Sequence, residues 1–193
     1  MTGVFTAALH PTDTQQVFRA VLEALARPGS AMMLPDDPLR TLAPAVIPIF
    51  ALADLGTGVC VLEHAEDRWG DAVTTATGAP LWPAELARLV AVLRPVTEAD
   101  VRDFARGTAA DPSAAALVSI AVPEVHGGPR RWRLSGPGIA GETTLSPVGL
   151  PPGFVAARAE AVAGYPAGID VLLITLDGRV VGLPRTTSIT EEN

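Results

Sequence analysis

The sequence contains no lysine: all 14 of its basic residues are arginines. That absence excludes an internal aldimine with pyridoxal phosphate, and it excludes the phosphate-gripping lysine of a Walker A loop. Any anion the chain binds must be held by arginine, hydroxyls, backbone N–H groups or a metal. Cysteine is almost as scarce. Cys60 is the only one, so no intrachain disulfide forms. It lies in the apolar run Val59 to Leu62 with no basic neighbour, which favours a buried structural thiol over a nucleophile. Aromatic residues make up only 5% of the chain against an apolar share of 48%, much of it alanine, so the core must be built from Leu, Val and Ala. No serine sits in a GxSxG elbow, which removes the commonest hydrolase reading of an α/β chain. A basic stripe is also missing: the net charge is −7 and is not blocky. The chain is therefore a poor candidate for electrostatic binding to nucleic acid or to an anionic membrane. The longest apolar run, Leu42 to Leu55, contains Pro44 and Pro48 and is too short to span a bilayer. The opening residues MTGVFTAALH lack the basic and apolar regions of a secretory signal. The expectation is a soluble, cytoplasmic protein.

At 193 residues the chain is long enough to bury about two-thirds of its unfolded surface in one domain spanning 1–193. Thr12 or Asp13 can cap a helix running to about Ala26, with Val17, Val21, Leu22 and Leu25 on one face. Arg27-Pro28-Gly29 ends it. A strand at Ala31 to Leu34 follows, then a helix over Ala45 to Leu55. Val59 to Leu62 reads as a strand, Glu66 to Ala76 as a helix with Trp69 and Val73 inward, and Val90 to Leu93 as a strand. Thr97 fits the N-cap of a helix from Glu98 to Ala105. Ala114 to Val122 is assigned to a strand because Val118, Ile120 and Val122 alternate. Arg130 to Leu134 should return against it as a hairpin with a long loop, with Arg131 and Arg133 on one face and Trp132 and Leu134 on the other. Pro152 to Ala163 reads as a helix whose turns are marked by Phe154, Arg158 and Ala161.

The stretch from Tyr165 to Thr187 carries the strongest pattern. Ile169 to Leu176 is apolar enough for a strand buried on both faces. Asp177-Gly178 suits a two-residue hairpin turn, and Arg179 to Leu183 returns as its partner. Pro184 ends the ladder and delivers Arg185, Thr186 and Thr187 at the strand exit. Helices and strands interleave throughout, so the fold class is α/β with a mixed sheet.

Four features are candidates for chemistry. Gly136-Pro-Gly138-Ile-Ala-Gly141 matches the dinucleotide fingerprint in its letters, but no helical pattern follows and Pro137 removes a cradling N–H, so a strand-ending turn is the better reading. His10, His64 and His126 stand apart from one another and from any metal-ligand spacing, which marks them as surface or turn residues. Arg27, at a helix end, either meets the helix dipole or binds an anion. Arg185, Thr186 and Thr187 offer a planar fork and two hydroxyls, fit either for a phosphate or carboxylate or for an acid or carbonyl of the protein itself.

Several segments occur in a characteristic order: Phe18-Arg19-Ala-Val-Leu-Glu-Ala-Leu-Ala-Arg27-Pro28-Gly29, Phe50-Ala-Leu-Ala-Asp54, Gly107-Thr108-Ala, Leu134-Ser-Gly136-Pro-Gly138-Ile139, Pro166-Ala-Gly168-Ile-Asp170 and Leu183-Pro-Arg-Thr-Thr187. This series resembles the PhnH subunit family of the bacterial carbon–phosphorus lyase machinery over nearly the whole chain. One departure is visible: Thr57-Gly-Val-Cys60 stands where relatives often carry Thr-Pro-Val-Trp. The resemblance implies the fold of pyridoxal-phosphate-dependent transferases without the cofactor, usually as a homodimer. It implies a role in phosphonate catabolism beside PhnG, PhnI and PhnL, which together exchange the adenine of ATP for a phosphonate at the ribose C1. The product is ribose 1-phosphonate 5-triphosphate. The wider complex also holds PhnJ, whose radical chemistry cleaves the C–P bond. On this reading the subunit alone has no turnover and no cofactor, and Arg27, Arg185, Thr186 and Thr187 bind anionic substrate (ATP or phosphonate) or a partner. The alternative is a stand-alone binding protein or transferase for a small phosphorylated metabolite.

Overall fold

A computed structural model describes residues 9–192. The first helix, α1 (Pro11–Ala26), is capped at His10, two or three residues ahead of the expected Thr12 or Asp13: Pro11 occupies the first turn and His10 Nδ1 accepts from the Thr12 N–H at 3.4 Å. Val17, Ala20, Val21 and Ala24 form its buried stripe. Leu22, expected inside, is 54% exposed. The small residues at 20 and 24 take the inner face instead, because α1 packs closely on the sheet.

After β1 (Ala31–Met33) and the short α2 (Asp36–Leu39), a 3-10 turn at Pro44–Val46 leads into α3 (Ile47–Leu52). Pro48 is accommodated because it lies in the first turn of α3, where no intrahelical donor is needed. Then come β2 (Val59–Leu62), α4 (Trp69–Thr77), β3 (Leu89–Val92), α5 (Glu98–Asp103) and β4 (Leu117–Ala121). The chain continues through β5 (Arg131–Ser135), β6 (Thr143–Leu145), α6 (Phe154–Val162), β7 (Asp170–Ile174), β8 (Arg179–Leu183) and β9 (Ser188–Glu192). The main sheet has the order β1-β8-β7-β4-β3-β2, and a second sheet has the order β6-β5-β9. Strands β2, β3, β4 and β7 run parallel, whereas β8 is antiparallel to both β7 and β1. The α/β class with a mixed sheet is therefore observed.

Alternation along these strands divides the core. Val90, Val118, Ile120, Val171, Leu173 and Val181 face α5 and α6. Val59, Leu89, Ala91, Leu172, Ile174 and Val180 face α1, α3 and α4. With both faces covered, the strands must be apolar along their covered length, as β3 is throughout and β7 is from Val171 to Ile174.

Two pairings differ from the sequence expectation. The strand β5 does not form a hairpin with β4. Both edges of β4 are already taken by parallel partners, β3 and β7, so β5 pairs with β6 and β9 instead. Its alternation holds: Trp132 and Leu134 are buried, Arg131 and Arg133 are exposed, and Trp132 stacks on Phe154 with ring centroids 5.6 Å apart. The turn between β7 and β8 has three residues, Leu176 to Gly178, rather than two. The Thr175 N–H donates to Arg179 O at 3.0 Å, and Gly178 takes the left-handed position at φ +83. That is the type I turn plus bulge that three-residue hairpin loops adopt. Neither β6 nor β9 was legible as a strand.

Thr97 caps α5 as expected, and the cap is reciprocal: its Oγ1 accepts from the Asp100 N–H at 3.2 Å while Asp100 Oδ2 accepts from the Thr97 N–H at 2.8 Å. Arg94 adds a fork, with Nη1 and Nη2 donating to Asp100 at 2.9 and 2.8 Å. The Arg94 guanidinium, helped by Thr97, holds the Asp100 carboxyl down to about 2 from 3.8. A depressed carboxylate stabilises the fold fully above its unfolded value and loses that contribution as pH falls through the folded one. Between pH 4 and 2, stability should fall in part through this group. At neutral pH Asp100→Asn should cost about 1–2 kcal/mol, and chemical denaturation across that window should show a flatter acid limb in the variant.

Candidate functional site

The exit from β8 is a cluster of charge held by the chain's own oxygens. The Arg185 backbone N–H donates to Asp170 Oδ1 at 2.7 Å, and its Nη2 donates to Oδ2 at 2.6 Å. Nε lies 3.2 Å from both oxygens of the same carboxylate. Nη1 donates to Pro112 O at 3.1 Å and to Pro166 O at 3.0 Å. Arg185 thus spends its fork on a carboxylate and two carbonyls of its own fold, and ties the start of β7 to the end of β8. These side chains are only 16% and 23% exposed, so the pair is poorly screened. A double-mutant cycle with Arg185→Ala and Asp170→Ala, read by urea denaturation, should return a coupling of about 1.5–3 kcal/mol.

Beside it lies Arg158, which sequence reasoning treated only as a marker of helical turns. It is 3% exposed. Its Nη1 donates to Thr187 O at 3.1 Å, and Nη2 donates to Pro184 O at 2.6 Å and to Leu183 O at 3.4 Å. Burial pushes its pKa down to about 10, opposed by the nearby Asp170 carboxylate, so it remains a cation at neutral pH. The sequence did hold a signal. An arginine at the i+4 position between Phe154 and Ala161, on the stripe that faces the core, must find buried acceptors. Thr187 is buried as well. Its N–H closes a turn onto Pro184 O at 2.8 Å, and its Oγ1 has no partner among the described residues. Thr186, by contrast, is exposed.

Arg27 caps the end of α1. Its N–H donates to Glu23 O at 2.9 Å, and its exposed guanidinium lies 3.4 Å from the Glu23 carboxylate. Among the described residues, no hydrogen bond or ion pair joins Arg27 to Arg185, Thr186 or Thr187. A turn does stand between them. A Cβ on Gly136 would lie 2.8 Å from Thr186 O, and one on Gly138 would lie 2.2 Å from Ala26 O. The Gly136–Gly138 turn is therefore wedged between the end of α1 and the strand exit, with room for nothing larger than glycine. Strand β6 follows it rather than a helix, so the fingerprint letters form a turn, as expected. The junction brings together the segments around Arg27, Gly136 and Arg185, which are distant in the sequence.

A second concavity lies at the carboxyl ends of the parallel strands, where open α/β sheets place ligands. It measures about 150 Å³ and is lined by Leu93, Ala121 and Ile174 with Asp67 and Trp69. The nearby helix terminus is already satisfied: the Glu63 carboxylate accepts from the Trp69 N–H at 2.7 Å and the Gly70 N–H at 3.2 Å. An internal carboxylate thus occupies the position at α4 that an external anion would take. His10, His64 and His126 are exposed. Among the described residues, no three of His, Cys, Asp or Glu are grouped to hold a metal ion. Cys60 is buried, and burial raises its thiol pKa, aided by the Glu85 carboxylate. No helix of the described residues is long and apolar enough to cross a membrane. Chemically, the junction holds charge; within it no nucleophile stands beside a base.

Comparison with known proteins matches nearly the whole chain. The family described as bacterial phosphonate metabolism protein (PhnH) matches residues 6–190. A protein of Rhizobium meliloti (strain 1021), "Alpha-D-ribose 1-methylphosphonate 5-triphosphate synthase subunit PhnH", is 28% identical, covering 93% of this chain and 92% of the relative. A second, "Putative C-P lyase subunit protein HtxG" of Stutzerimonas stutzeri, is 30% identical, covering 91% of this chain and 85% of the relative. The chain belongs to the PhnH family of bacterial phosphonate metabolism proteins.

Proposed function

We propose that this chain is an accessory subunit of a carbon–phosphorus lyase complex. With PhnG-, PhnI- and PhnL-like partners it supports transfer of a phosphonate to the ribose C1 of ATP, with release of adenine and formation of ribose 1-phosphonate 5-triphosphate. A PhnJ-like subunit acts downstream on the C–P bond. The carrying observation is that the arginines at the strand exit are engaged within the fold: Arg185 on Asp170, and Arg158 on three carbonyls. Arginines engaged in this way suit a rigid surface presented to partners better than turnover by the chain alone. The matched relatives, both named as subunits, support the same reading. The absence of lysine supports a chain that works without pyridoxal phosphate on a transferase-like mixed sheet. When isolated, the chain is expected as a homodimer in the cytoplasm.

Co-expression with PhnG-, PhnI- and PhnL-like neighbours, followed by affinity capture of this chain, should recover them in a stable complex. Titration calorimetry of the isolated chain with ATP and with an alkylphosphonate should show no tight binding. Micromolar affinity for either, with no partner captured, would favour the stand-alone binding protein or transferase instead.

A further inference from the structure

The free edge of the main sheet carries a groove beside β2. In a parallel ladder each residue directs its N–H and C=O to the same side, and successive residues alternate. Gly58 O accepts from the Leu89 N–H at 3.3 Å and Leu62 O accepts from the Leu93 N–H at 2.8 Å, so the even positions of β2 face β3. The odd positions face outward. Val59 is satisfied there by the chain itself: its N–H donates to Pro80 O at 2.9 Å, and its carbonyl accepts from the Trp82 N–H at 2.8 Å. Leu81 makes a single parallel bridge with Val59, and Pro83 then turns the chain away. Val61 is left with its N–H and C=O directed outward and no partner among the described residues.

A groove of about 210 Å³ opens at that point. Leu81 and Trp82 line it and are 49% and 43% exposed. Three carboxylates, Glu63, Asp67 and Asp71, line it against one guanidinium, Arg68. Glu63 is spent on the first N–H groups of α4, and Arg68 lies 3.6 Å from Asp71. Asp67 has no cationic partner among the described residues. An unpaired edge beside an apolar shoulder is a template for an added strand. A second copy of this chain would bring like carboxylates together, which disfavours self-pairing. We propose that β2 takes an extended basic segment of a partner subunit as an added strand, paired through the Val61 backbone, with a Lys or Arg against Asp67 and apolar side chains on Leu81 and Trp82. The identity of that partner rests on the subunit reading above.

The test is amide hydrogen exchange at single-residue resolution, on the isolated full chain and on the complex captured with PhnG- and PhnI-like subunits. In the isolated chain Val61 should exchange fast while Cys60, paired to β3, is slow. In the complex Val61 should slow by tenfold or more. Asp67→Arg should weaken partner capture on the order of tenfold, whereas Leu22→Ser on α1 should leave it unchanged. A complex that forms with Val61 still fast, or one indifferent to Asp67→Arg, overturns the docking proposal and leaves the subunit reading standing. No complex at all overturns both. Val61 already slow in the isolated chain, and released by dilution or by deletion of residues 1–8, assigns the edge to a second copy or to those residues and likewise overturns it.

Discussion

Replacing Arg158 with alanine should lower the unfolding free energy by about 3–5 kcal/mol. Three carbonyls, those of Leu183, Pro184 and Thr187, turn inward onto this one guanidinium. Pro184 O would keep the Thr187 N–H, but each carbonyl would lose the guanidinium, and a buried carbonyl left unsatisfied costs about 1–3 kcal/mol. Loss of the side chain would also leave a cavity beneath α6. Against these stands the relief of a desolvated cation, whose depressed pKa shows that its burial is itself unfavourable. That relief keeps the net loss below the sum of the parts. Arg158→Met, which refills the volume without donors, should recover part of the loss. Thermal and urea denaturation of the two variants separates the cavity from the carbonyls. If Arg158→Ala were neutral, the strand exit would not depend on this residue.

Gly182→Ala should cost about 2–3 kcal/mol or more. Gly182 lies in β8 beneath α1, and a Cβ there would stand 2.3 Å from Ala24 O and 2.8 Å from Leu25 N. Both are helix backbone, so no side-chain rotation relieves the clash; α1 itself must lift. The same close approach explains why small Ala20 and Ala24 face inward while Phe18 and Leu22 face out. The control is Gly141, at φ +81 with no neighbour within 4 Å of an added Cβ. Gly141→Ala should lose only the roughly 1–2 kcal/mol of left-handed strain. Similar melting losses for the two variants would mean that strain, rather than helix contact, governs position 182.

These packing details mark where the sequence could be read and where it could not. The central strands β7 and β8 were legible because burial on both faces demands a mostly apolar run, broken from Ile169 to Leu176 only by Asp170 and Thr175, and no helix fits one so short. The helix α5 was legible through its cap. The strand β5 was found but wrongly partnered, since periodicity reports which face is buried and says nothing about which edge is free. The strands β6 and β9 were missed because Thr143–Leu145 is too short to show alternation, and Ser188–Glu192 is polar on an outer strand. At the candidate site, Arg185 and Thr187 were visible by position, yet their partners were not. Asp170 lies 15 residues upstream and Pro112 lies 73 residues upstream, and only the fold brings them together. Arg158 was overlooked because a single arginine in an alanine-rich helix looks like a solvated residue until its neighbours on the stripe are known.

The subunit reading requires that this chain work only as part of an assembly. The direct measurement is adenine release from ATP in the presence of methylphosphonate, by the purified chain, by its PhnG-, PhnI- and PhnL-like partners, and by all of them together. Release by the full set, with none from this chain alone and a marked loss when it is omitted, is the predicted result. Turnover by the single chain, or an undiminished rate without it, would contradict the claim.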